Sequence, residues 1–414
     1  MLLKDYIPNL QSKFHNVKFN GISFNSKEVK RGNIFFAFKG NKTDGNFFIE
    51  DAIKNGSKII ISDKCKKNGW KNNILFLKNK NVRKLLSEFS TKIFNKRPNN
   101  LIAVTGTNGK SSIANFYFQI LNLNNIKVAS IGTLGVVGLN IKYNNLNTTL
   151  DTIQMNKILK KLKEKKIDNV ILEASSHGLH QNRLDGIKFD IGIFTNLTRD
   201  HLDYHKTFWN YYNSKLILFN RLMKKKSYAI YDETQKISSN LNRVTKLNNI
   251  KQLTIGNNKT SFKITNHQFL KDEQIITFKF KNKKYSFSTK LIGKVQIKNL
   301  LMAIMAATKS KLSLKKIVKI IKKIEPVNGR LEKVGRLYNN GIVILDYAHT
   351  PDALATCIKN VKEQFKLRKI SVVFGCGGER DKPKRKMMGR IANKYCNKVY
   401  LTDDNPRGED PRKI

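Results

Sequence analysis

The segment TGTNGKSS, at residues 105–112, follows an apolar run and has the composition of a phosphate-binding loop. Gly106 and Gly109 let the backbone turn tightly, so that successive N–H groups can point at a phosphate. In such a loop Lys110 would reach the β- and γ-phosphates and Ser111 would ligate Mg²⁺, while the positive end of the next helix adds to the attraction. The G-x-x-G-K-S spacing is shorter than that of the usual loop, and a plain strand–turn–helix connection is the alternative. The strand before the segment and the helix after it favour phosphate binding.

Two other polar segments contain groups that could bind a metal ion. In LEASSHGL (172–179) Glu173 ends an apolar strand, where a buried acid needs a charged partner and Mg²⁺ prefers oxygen ligands. An acid that faces solvent explains the same segment equally well. The segment TNLTRDHLDYH (195–205) concentrates charged and imidazole side chains, namely Arg199, Asp200, His201, Asp203 and His205. A solvated loop and a zinc site are its alternatives, but no cysteine is near and the phosphate loop predicts magnesium.

Strands and helices alternate around these polar segments. The predicted elements include apolar strands at 101–106, 127–132, 169–175 and 190–196 and a helix at 154–166. Such alternation predicts a parallel, doubly wound sheet. Ligands of such sheets bind beyond the carboxyl ends of the strands, and the polar segments directly follow strands. We therefore expect these segments to converge around one magnesium-bound triphosphate.

The fold class expected is α/β, with three domains. Residues 1–96 mix short strands and helices, 97–328 hold the central sheet, and 329–414 form a short, incomplete Rossmann-like α/β domain. Closely spaced strands at 226–290 are expected to be antiparallel and to lie at the edge of the central domain. A helix-rich stretch at 297–324 follows them.

Charge and composition exclude several classes of protein. Lys and Arg total 79 against 30 for Asp and Glu, a formal net charge of +49, but the lysines are spread along the chain. We attribute the charge to a genome-wide drift toward codons for Lys, Asn and Ile, and we expect no nucleic-acid partner. No apolar run approaches the ~18 residues of a membrane span, and the N-terminus lacks the apolar core of a signal peptide. The four cysteines have no CxxC spacing, so a cytoplasmic protein with free thiols and no membrane insertion is expected.

A series of motifs along almost the whole chain carries a resemblance to a known family. They are SFNSKEVKRGNIFFAFKG (23–40), TGTNGKSS, LEASSHGLHQNRLDG, FTNLTRDHLDYH, YYNSKLILF, NGRLE, DYAHTPDAL, FGCGGERDKPKR and DNPRGEDP. The chain resembles the Mur ligases, ATP-dependent enzymes that form amide bonds in peptidoglycan synthesis, and among them those that add the third residue of the stem peptide. The short phosphate loop is normal in this family. The resemblance implies a monomeric ligase that joins meso-diaminopimelate to UDP-MurNAc-L-Ala-D-Glu through an acyl phosphate.

The resemblance also implies where ATP and Mg²⁺ bind. The residues expected to bind ATP are Gly106, Thr107, Asn108, Gly109, Lys110, Ser111, Ser112, Asn299, Arg330, Asp346 and His349. Those expected to hold Mg²⁺ are Ser111, Glu173, His201 and Lys215, the last of which matches the family's carbamylated lysine. Addition of CO₂ turns a cationic side chain into a carboxylate, which can orient a second Mg²⁺. The expected catalytic residues are Lys110, Lys215, Glu173 and His201, although a solvated helix lysine is the alternative for Lys215.

The other two substrates have implied sites as well. The uridine nucleotide and its peptide would contact Ser26, Asp44, Thr148, Thr149, Ser175 and Arg183. The incoming amino acid would be selected by Arg380, Asp404, Asn405, Pro406 and Arg407. The Arg407 side chain offers a bidentate fork to the second carboxylate of diaminopimelate, which lysine lacks. A basic surface residue is the alternative for Arg407.

Two features depart from the family pattern. Gln296 stands in GKVQIKN (293–299) where the family has an asparagine, and we expect a loss of local detail but not of function. The family pattern also continues past DNPR to a Gly-Lys-Gly-His-Glu segment, whereas this sequence stops at Ile414, so we expect either a fragment or a shortened protein. A related ligase with another acceptor, such as a lysine-adding or folylpolyglutamate-type enzyme, and an inactive truncated homologue are therefore kept as alternatives.

Overall fold

A computed structural model of the chain describes residues 1–40, 43–139, 147–256, 260–270, 273–379 and 381–414. The chain forms two compact units, each with its own hydrophobic core. The first unit consists of Met1–Pro98, Leu150–Lys165 and His177–Ile187. The second consists of Asn99–Thr149, Lys166–Ser176 and Lys188–Ile414. In the part of the chain that the structure describes, no helix is both long and apolar enough to cross a membrane.

The elements of the first 98 residues are short. They are β1 (Gly21–Ser23), β2 (Asn33–Ala37), α1 (Ile49–Lys54), β3 (Ile59–Ser62), β4 (Gly69–Lys71), β5 (Ile74–Lys78) and α2 (Val82–Ile93).

The middle of the chain contains most of the regular structure. Its elements are β6 (Asn100–Thr105), α3 (Lys110–Asn122), β7 (Val128–Gly132), β8 (Gly135–Val137), α4 (Thr152–Glu164), β9 (Asn169–Glu173), α5 (Ser176–His180), β10 (Phe189–Phe194), α6 (Leu202–His205), α7 (Phe208–Ile217), β11 (Met223–Asp232), α8 (Ser238–Leu247), β12 (Lys251–Gly256), β13 (Phe262–Phe269), β14 (Gln274–Phe280), β15 (Lys283–Thr289), α9 (Gly293–Lys309) and α10 (Leu314–Ile320).

The described residues of the C-terminal part add four strands and two helices. They are β16 (Glu332–Arg336), β17 (Ile342–Leu345), α11 (Pro351–Gln364), β18 (Ser371–Phe374), α12 (Pro383–Tyr395) and β19 (Lys398–Leu401).

The first unit is built on a five-stranded sheet with the strand order β1-β2-β3-β5-β4. All its neighbouring strands are parallel except β4 and β5. The strands β2 and β3 are buried over their whole length, as expected for parallel strands that are covered on both faces. Helix α2 packs against this sheet through Leu86 and Phe89, and helix α4 packs beside it in the same unit.

The second unit is built on a ten-stranded sheet with the order β15-β14-β13-β12-β11-β10-β6-β9-β7-β8. The strands from β12 to β7 are parallel, which confirms the predicted doubly wound core. The residues Leu101–Val104 of β6 are fully buried. Helix α3 packs against α9 through an apolar face that includes Ile113, Phe116 and Ile120. This packing fixes the direction in which the carboxyl end of β6 leads into α3.

The prediction of antiparallel strands over 226–290 is wrong for its first half. The strand β11 is parallel to both β10 and β12, and helix α8 lies between β11 and β12 as a crossover. Parallel neighbours need such a long connection, and the spacing of β11 and β12 leaves room for one. The strand β13 is also parallel to β12, but the pairs β13–β14 and β14–β15 are antiparallel at the edge of the sheet, as expected.

The C-terminal part has two small sheets. The strands β16 and β17 form an antiparallel pair, and β18 and β19 form a parallel pair. The expected helices lie between β17 and β18 and between β18 and β19. Leu354 of α11 and Met388 of α12 form a small core with Val372 and Phe374 of β18. Val373 of β18 is 67% exposed and Leu401 of β19 is 75% exposed, so that the small sheet is much less enclosed than the central one.

Candidate active site

The phosphate loop connects β6 to α3 and has the conformation that its glycines predict. Gly106 has a φ of +137° and Gly109 a φ of +86°, both in the region that glycine favours. A Cβ atom on Gly106 would lie 1.9 Å from Thr195 Oγ1, and one on Gly109 would lie 2.7 Å from Asn299 Oδ1. Neither position can therefore accommodate a side chain.

The loop after β10 supports the phosphate loop through hydrogen bonds. The Thr107 N–H donates to the Asn196 carbonyl at 2.9 Å, and the Asn108 N–H donates to Asn196 Oδ1 at 2.9 Å. Thr195 Oγ1 donates in return to the Asn108 carbonyl. These amides are thus used within the protein. A phosphate would be met by the amides at the beginning of α3, since N–H groups in a first helical turn have no intrahelical partner.

Two lysine side chains meet at the Gly106 carbonyl. Lys110 Nζ donates to the carbonyls of Gly106 (3.0 Å) and Thr107 (2.7 Å). Lys215 extends from α7, is 1% exposed, and its Nζ donates to the Gly106 carbonyl at 2.7 Å. Burial, reinforced by the charge of Lys110, holds the pKa of Lys215 well below its usual range, although Asp200 opposes the shift. Burial likewise lowers the pKa of Lys110.

Glu173 lies at the end of β9, the strand beside β6, and its side chain is buried. Its Oε1 accepts from the Thr133 N–H at 2.9 Å and its Oε2 from Thr133 Oγ1 at 3.3 Å. A Cβ atom on Gly132 would lie 2.2 Å from Glu173 Oε1, so the end of β7 closes over this carboxylate. Glu173 is therefore a buried acid, and the alternative of an acid that faces solvent is wrong.

Three residues predicted to contact the peptide substrate lie beside Glu173. Thr133 Oγ1 donates to Thr148 Oγ1 at 3.2 Å. Thr149 Oγ1 donates to the Glu173 carbonyl at 2.8 Å and lies 2.9 Å from Ser175 Oγ. The structure thus brings Thr148, Thr149 and Ser175 together at the same edge of the sheet.

His201 begins α6, in the loop that follows β10. Its backbone is left-handed, with a φ of +52°, and its Nε2 lies 3.4 Å from Asp200 Oδ2. Desolvation lowers the pKa of His201, and the charges of Lys110 and Lys215 lower it further, while Asp200 and Asp203 act in the opposite direction. His201 therefore lies within electrostatic range of both lysines at the phosphate loop.

Residues of the C-terminal part approach this cluster. The charge of Arg330 contributes to lowering the pKa of Lys110, and its guanidinium lies 4.3 Å from the ring centroid of Tyr347. Burial raises the pKa of Asp346, whose Oδ2 accepts from the Leu331 N–H at 2.8 Å. His349 Nδ1 is hydrogen-bonded to the Tyr347 carbonyl at 3.0 Å.

Gln296, which departs from the family pattern, has a defined role in this arrangement. Its Nε2 donates to the Arg330 carbonyl at 3.0 Å, and its Oε1 accepts from Asn299 Nδ2 at 3.1 Å. The side chain of Gln296 therefore connects α9, which lies next to the phosphate loop, with Arg330 near the start of the C-terminal part.

The predicted amino-acid-binding residues lie in the C-terminal part. The segment 404–407 follows β19 and packs on the glycine-rich segment that follows β18. Arg407 Nη1 donates to the Gly378 carbonyl. Arg380 lies outside the described residues.

The remaining predicted residues belong to the first compact unit. Ser26 is buried, and its carbonyl accepts from Asn55 Nδ2 at 3.0 Å. Asp44 pairs with Lys64 at 2.6 Å, and this hydrogen bond lowers the pKa of Asp44 to about 2. Arg183 Nη2 donates to Gln181 Oε1 at 2.8 Å.

Thr133 was not singled out from the sequence, and the contacts that Thr195, Asn196 and Gln296 make were not predicted from it. Thr133 follows the carboxyl end of β7, so the rule that polar residues after parallel strands form the site could have identified it. Thr195 and Asn196 occupy the same position after β10, but their contacts with the phosphate loop depend on the strand order. Gln296 lies within a helix and carries no such signal.

The residues at this edge fit a magnesium ion. Within the described ranges, no group of three or more His, Cys, Asp or Glu side chains is arranged to hold a metal. Mg²⁺ at phosphate-transfer sites needs only one or two carboxylates and takes its other ligands from phosphates and water. The buried hydroxyls of Thr105, Ser176 and Thr198, which lie at or after the carboxyl ends of β6, β9 and β10, have no hydrogen-bond partner in that part of the chain, so this edge has polar groups that a ligand could use. Glu173 would supply the carboxylate.

Models of three domains of one protein family match the chain. The Mur ligase family catalytic domain matches residues 18–92, the Mur ligase middle domain residues 104–307, and the Mur ligase glutamate ligase domain residues 329–414. These matches identify an α/β ligase fold with three domains. A relative from Rickettsia montanensis, named UDP-N-acetylmuramoyl-L-alanyl-D-glutamate–2,6-diaminopimelate ligase, is 41% identical over 98% of this chain and 84% of its own length. The chain belongs to the Mur ligase family.

Other relatives and solved structures agree with this assignment. A protein of the same name from Wigglesworthia glossinidia brevipalpis is 38% identical over 100% of this chain and 85% of its own length. A solved structure with that ligase name has a TM-score of 0.75 at 29% identity and covers 100% of this chain and 84% of its own. The MurF ligase from Thermotoga maritima in complex with ADP has a TM-score of 0.65 at 17% identity, covers 93% and 84%, and shares the fold.

Proposed function

We propose that this chain is an ATP-dependent ligase that joins meso-diaminopimelate to UDP-MurNAc-L-Ala-D-Glu during cytoplasmic peptidoglycan-precursor synthesis. The meeting of Lys110, Lys215 and Glu173 at the carboxyl edge of adjacent strands carries the proposal. The names of the relatives from Rickettsia montanensis and Wigglesworthia glossinidia brevipalpis support the choice of substrates.

ATP is the substrate that the phosphate loop would bind. The first turn of α3 offers N–H groups to the phosphates, and Lys110 would leave its contacts with the loop carbonyls to reach the transferred phosphate. The MurF ligase from Thermotoga maritima was solved in complex with ADP, which supports nucleotide binding by this fold. Asn299, Arg330, Asp346 and His349 are proposed to bind the rest of the nucleotide.

A free carboxylate is a poor acylating agent, so the reaction needs activation. In the first step, an oxygen of the D-glutamate side-chain carboxylate attacks the γ-phosphorus of ATP, and the bond to ADP breaks. In the second step, the amine of diaminopimelate attacks the carbonyl carbon of the acyl phosphate, loses a proton, and inorganic phosphate leaves. The protein contributes by holding the reactants in line and by placing the positive charge of Lys110 near the transferred phosphoryl group.

Magnesium would be held by Ser111 and Glu173, with His201 nearby. When bound, Mg²⁺ neutralises the phosphate charge during the transfer. Lys215 is proposed to carry a carbamate that serves as a further anionic ligand. Carbamate formation requires the neutral amine, and burial favours that form by lowering the pKa of Lys215.

The proposed function is tested by mixing the protein with ATP, UDP-MurNAc-L-Ala-D-Glu and meso-diaminopimelate. Phosphate release and a product of the mass of the tripeptide nucleotide are expected, and each substrate should be required. Parallel reactions contain L-lysine in place of diaminopimelate, or a folate with glutamate. Preferential use of lysine or of the folate would replace the proposal by a related ligase. A lack of phosphate release with every set would indicate an inactive homologue.

A further inference from the structure

Two neighbouring loops of the C-terminal part meet at the carboxylate of Glu409, which also pairs with Lys382 at 3.9 Å. The first loop, 375–379, follows β18, and the second, 404–409, follows the parallel strand β19. Arg385, near the beginning of α12, pairs with Glu409 of the second loop. We propose that Arg385 and Glu409 are positioning residues that hold the segment 404–407 for selection of the incoming amino acid. This inference rests on the proposed function and deepens it.

The ion pair has the geometry of a strong, specific contact. Arg385 Nη1 lies 2.9 Å from Glu409 Oε2, and Arg385 Nη2 lies 3.0 Å from Glu409 Oε1. Such a bidentate pair fixes orientation as well as distance. The two side chains are 13% and 18% exposed, so they are largely shielded from water. Because this hydrogen bond lowers the pKa of Glu409 to about 2, the carboxylate stays ionised across the neutral range.

Glu409 also joins the second loop to the first. Its Oε1 accepts from the Glu379 N–H at 2.6 Å, in addition to the bond from Arg385. Arg385 Nη2 lies 3.5 Å from the Gly377 carbonyl of the same first loop. One carboxylate therefore connects three parts of the chain: the loop that carries it, the glycine-rich loop, and helix α12.

The glycine-rich loop in turn fixes Arg407. The Gly378 N–H donates to the Asn405 carbonyl at 2.9 Å, and Arg407 Nη1 donates to the Gly378 carbonyl. A Cβ atom on Gly378 would lie only 1.8 Å from the Pro406 carbonyl oxygen. Arg407 has a left-handed backbone, with a φ of +52°, which costs free energy and persists only where neighbouring contacts maintain it. The contacts that begin at Glu409 supply that support.

The strands beneath these loops are exposed close to the loops. Val373 of β18 and Leu401, the last residue of β19, are 67% and 75% exposed. Polar contacts between the loops therefore contribute to holding them, in addition to the strands that precede them. A shift of about 1 Å in Arg407 would weaken a bidentate bond to the far carboxylate of diaminopimelate.

The kinetic test compares the variants Glu409→Gln and Arg385→Lys with the wild-type protein. Both keep a polar side chain, but neither retains the bidentate ionic contact. We expect the KM for meso-diaminopimelate to rise by about tenfold or more. A change of this size corresponds to the free energy of one charged hydrogen bond. The KM for ATP should stay within about twofold, since the phosphate loop is not touched. The ratio of kcat/KM for meso-diaminopimelate to kcat/KM for L-lysine should fall. Lysine lacks the second carboxylate that Arg407 is proposed to bind, so a displaced Arg407 affects it less.

The matched control is Glu273→Gln, which removes another partly exposed glutamate, paired with Lys322 at 3.4 Å, from the same compact unit. This control variant should leave the KM values for ATP and meso-diaminopimelate unchanged, and also the ratio of kcat/KM for the two amino acids. An unchanged KM for diaminopimelate in Glu409→Gln would overturn the proposal. An equal loss for both amino acids would do so too, because it would indicate general damage to the domain.

Hydrogen exchange provides a readout that does not depend on activity. In the wild-type protein the amides of Gly378 and Glu379 should exchange slowly, and in Glu409→Gln the peptide that contains them should exchange at least about tenfold faster. Unchanged exchange would show that the pair does not hold the loops. If the wild-type protein turns over none of the substrate sets, the proposed function has failed. The exchange result then still decides whether Glu409 and Arg385 position the loop.

Discussion

The carboxyl edge of the central sheet and the carboxyl edge of the small β18–β19 sheet present functional loops in different ways. The central loops follow strands that are fully buried, such as Leu101–Val104, and are joined to each other by backbone hydrogen bonds. The loops after β18 and β19 follow half-exposed strands and are joined through the side chains of Arg385 and Glu409.

The difference corresponds to two tasks. Transfer of a phosphoryl group needs groups held with little freedom, and a packed sheet supplies that rigidity. Selection of one amino acid needs a surface whose chemistry can change without disturbing the fold, and loops held by polar contacts allow this. Substitutions at the central edge should therefore lower kcat, whereas substitutions at the C-terminal edge should raise the KM for diaminopimelate.

The largest expected effect is the loss of Lys110. The variant Lys110→Ala should lower kcat by roughly 10³-fold, as for other groups that neutralise charge in a transition state. Its Tm should change by no more than about 2 °C, because the hydrogen bonds of its side chain go to two carbonyls of the loop itself. The control Lys127→Ala removes an exposed lysine that leads into β7 and should leave kcat unchanged. A Lys110→Ala variant with near wild-type kcat would remove the phosphate loop from the proposed chemistry.

Truncation of an apolar side chain should lower the free energy of unfolding much more in the central sheet than in the small sheet. Ile193 of β10 is fully buried, so Ile193→Ala should lower the free energy of unfolding by about 2–5 kcal/mol. Val373 of β18 is 67% exposed, so Val373→Ala should change it by less than about 0.5 kcal/mol. Denaturant unfolding followed by circular dichroism measures both. Similar losses in the two variants would contradict the description of the small sheet as weakly packed.

A substitution of Lys215 tests whether this residue, which the proposed chemistry requires, lowers the stability of the folded protein. In the unfolded chain Lys215 is protonated below about pH 10.4, whereas burial keeps the folded amine neutral to a much lower pH. Since the unfolded state binds more protons, the free energy of unfolding of the wild-type protein should rise with pH toward that value. In buffer depleted of CO₂ at pH 7, Lys215→Met should be more stable by about 1–3 kcal/mol and inactive.

The stability advantage of Lys215→Met should shrink as the pH rises toward 10, and thermal unfolding across that range measures it. Leu216→Met, at a buried neighbouring position of the same helix, is the control and should show no such pH dependence. An advantage that is constant with pH would mean that Lys215 is already charged in the folded protein.

Much of the central edge could be predicted from the sequence because its signals are local. An apolar run, two glycines and a Lys-Ser pair together specify β6, the phosphate loop and the start of α3, and Glu173 follows its strand directly. The parallel pairing of β11 with β12 could not be predicted, because strand spacing does not reveal which neighbour a strand takes. The contacts of Asn196 and Gln296 likewise join residues that are distant in sequence.

The C-terminal edge was harder to predict for the same reason. The segment 404–407 was identified from its resemblance to a family motif, but nothing in the sequence marks Glu409 as the partner of Arg385. One charged pair among many in a chain with a net charge of +49 has no distinguishing pattern. Only the pairing of β18 with β19 brings the two loops together.

Substitutions of two glycines in the C-terminal part should change stability in opposite directions. Gly378→Ala would place a Cβ atom 1.8 Å from the Pro406 carbonyl oxygen, and such overpacking should lower stability by about 1–3 kcal/mol. Gly389 lies inside α12 with nothing within 4 Å of an added Cβ, so Gly389→Ala should raise stability by about 0.5–1 kcal/mol through helix propensity. Thermal unfolding compares the two variants, and Gly378→Ala should also raise the KM for diaminopimelate. If both substitutions were equally tolerated, the two loops would not be packed as closely as their hydrogen bonds require.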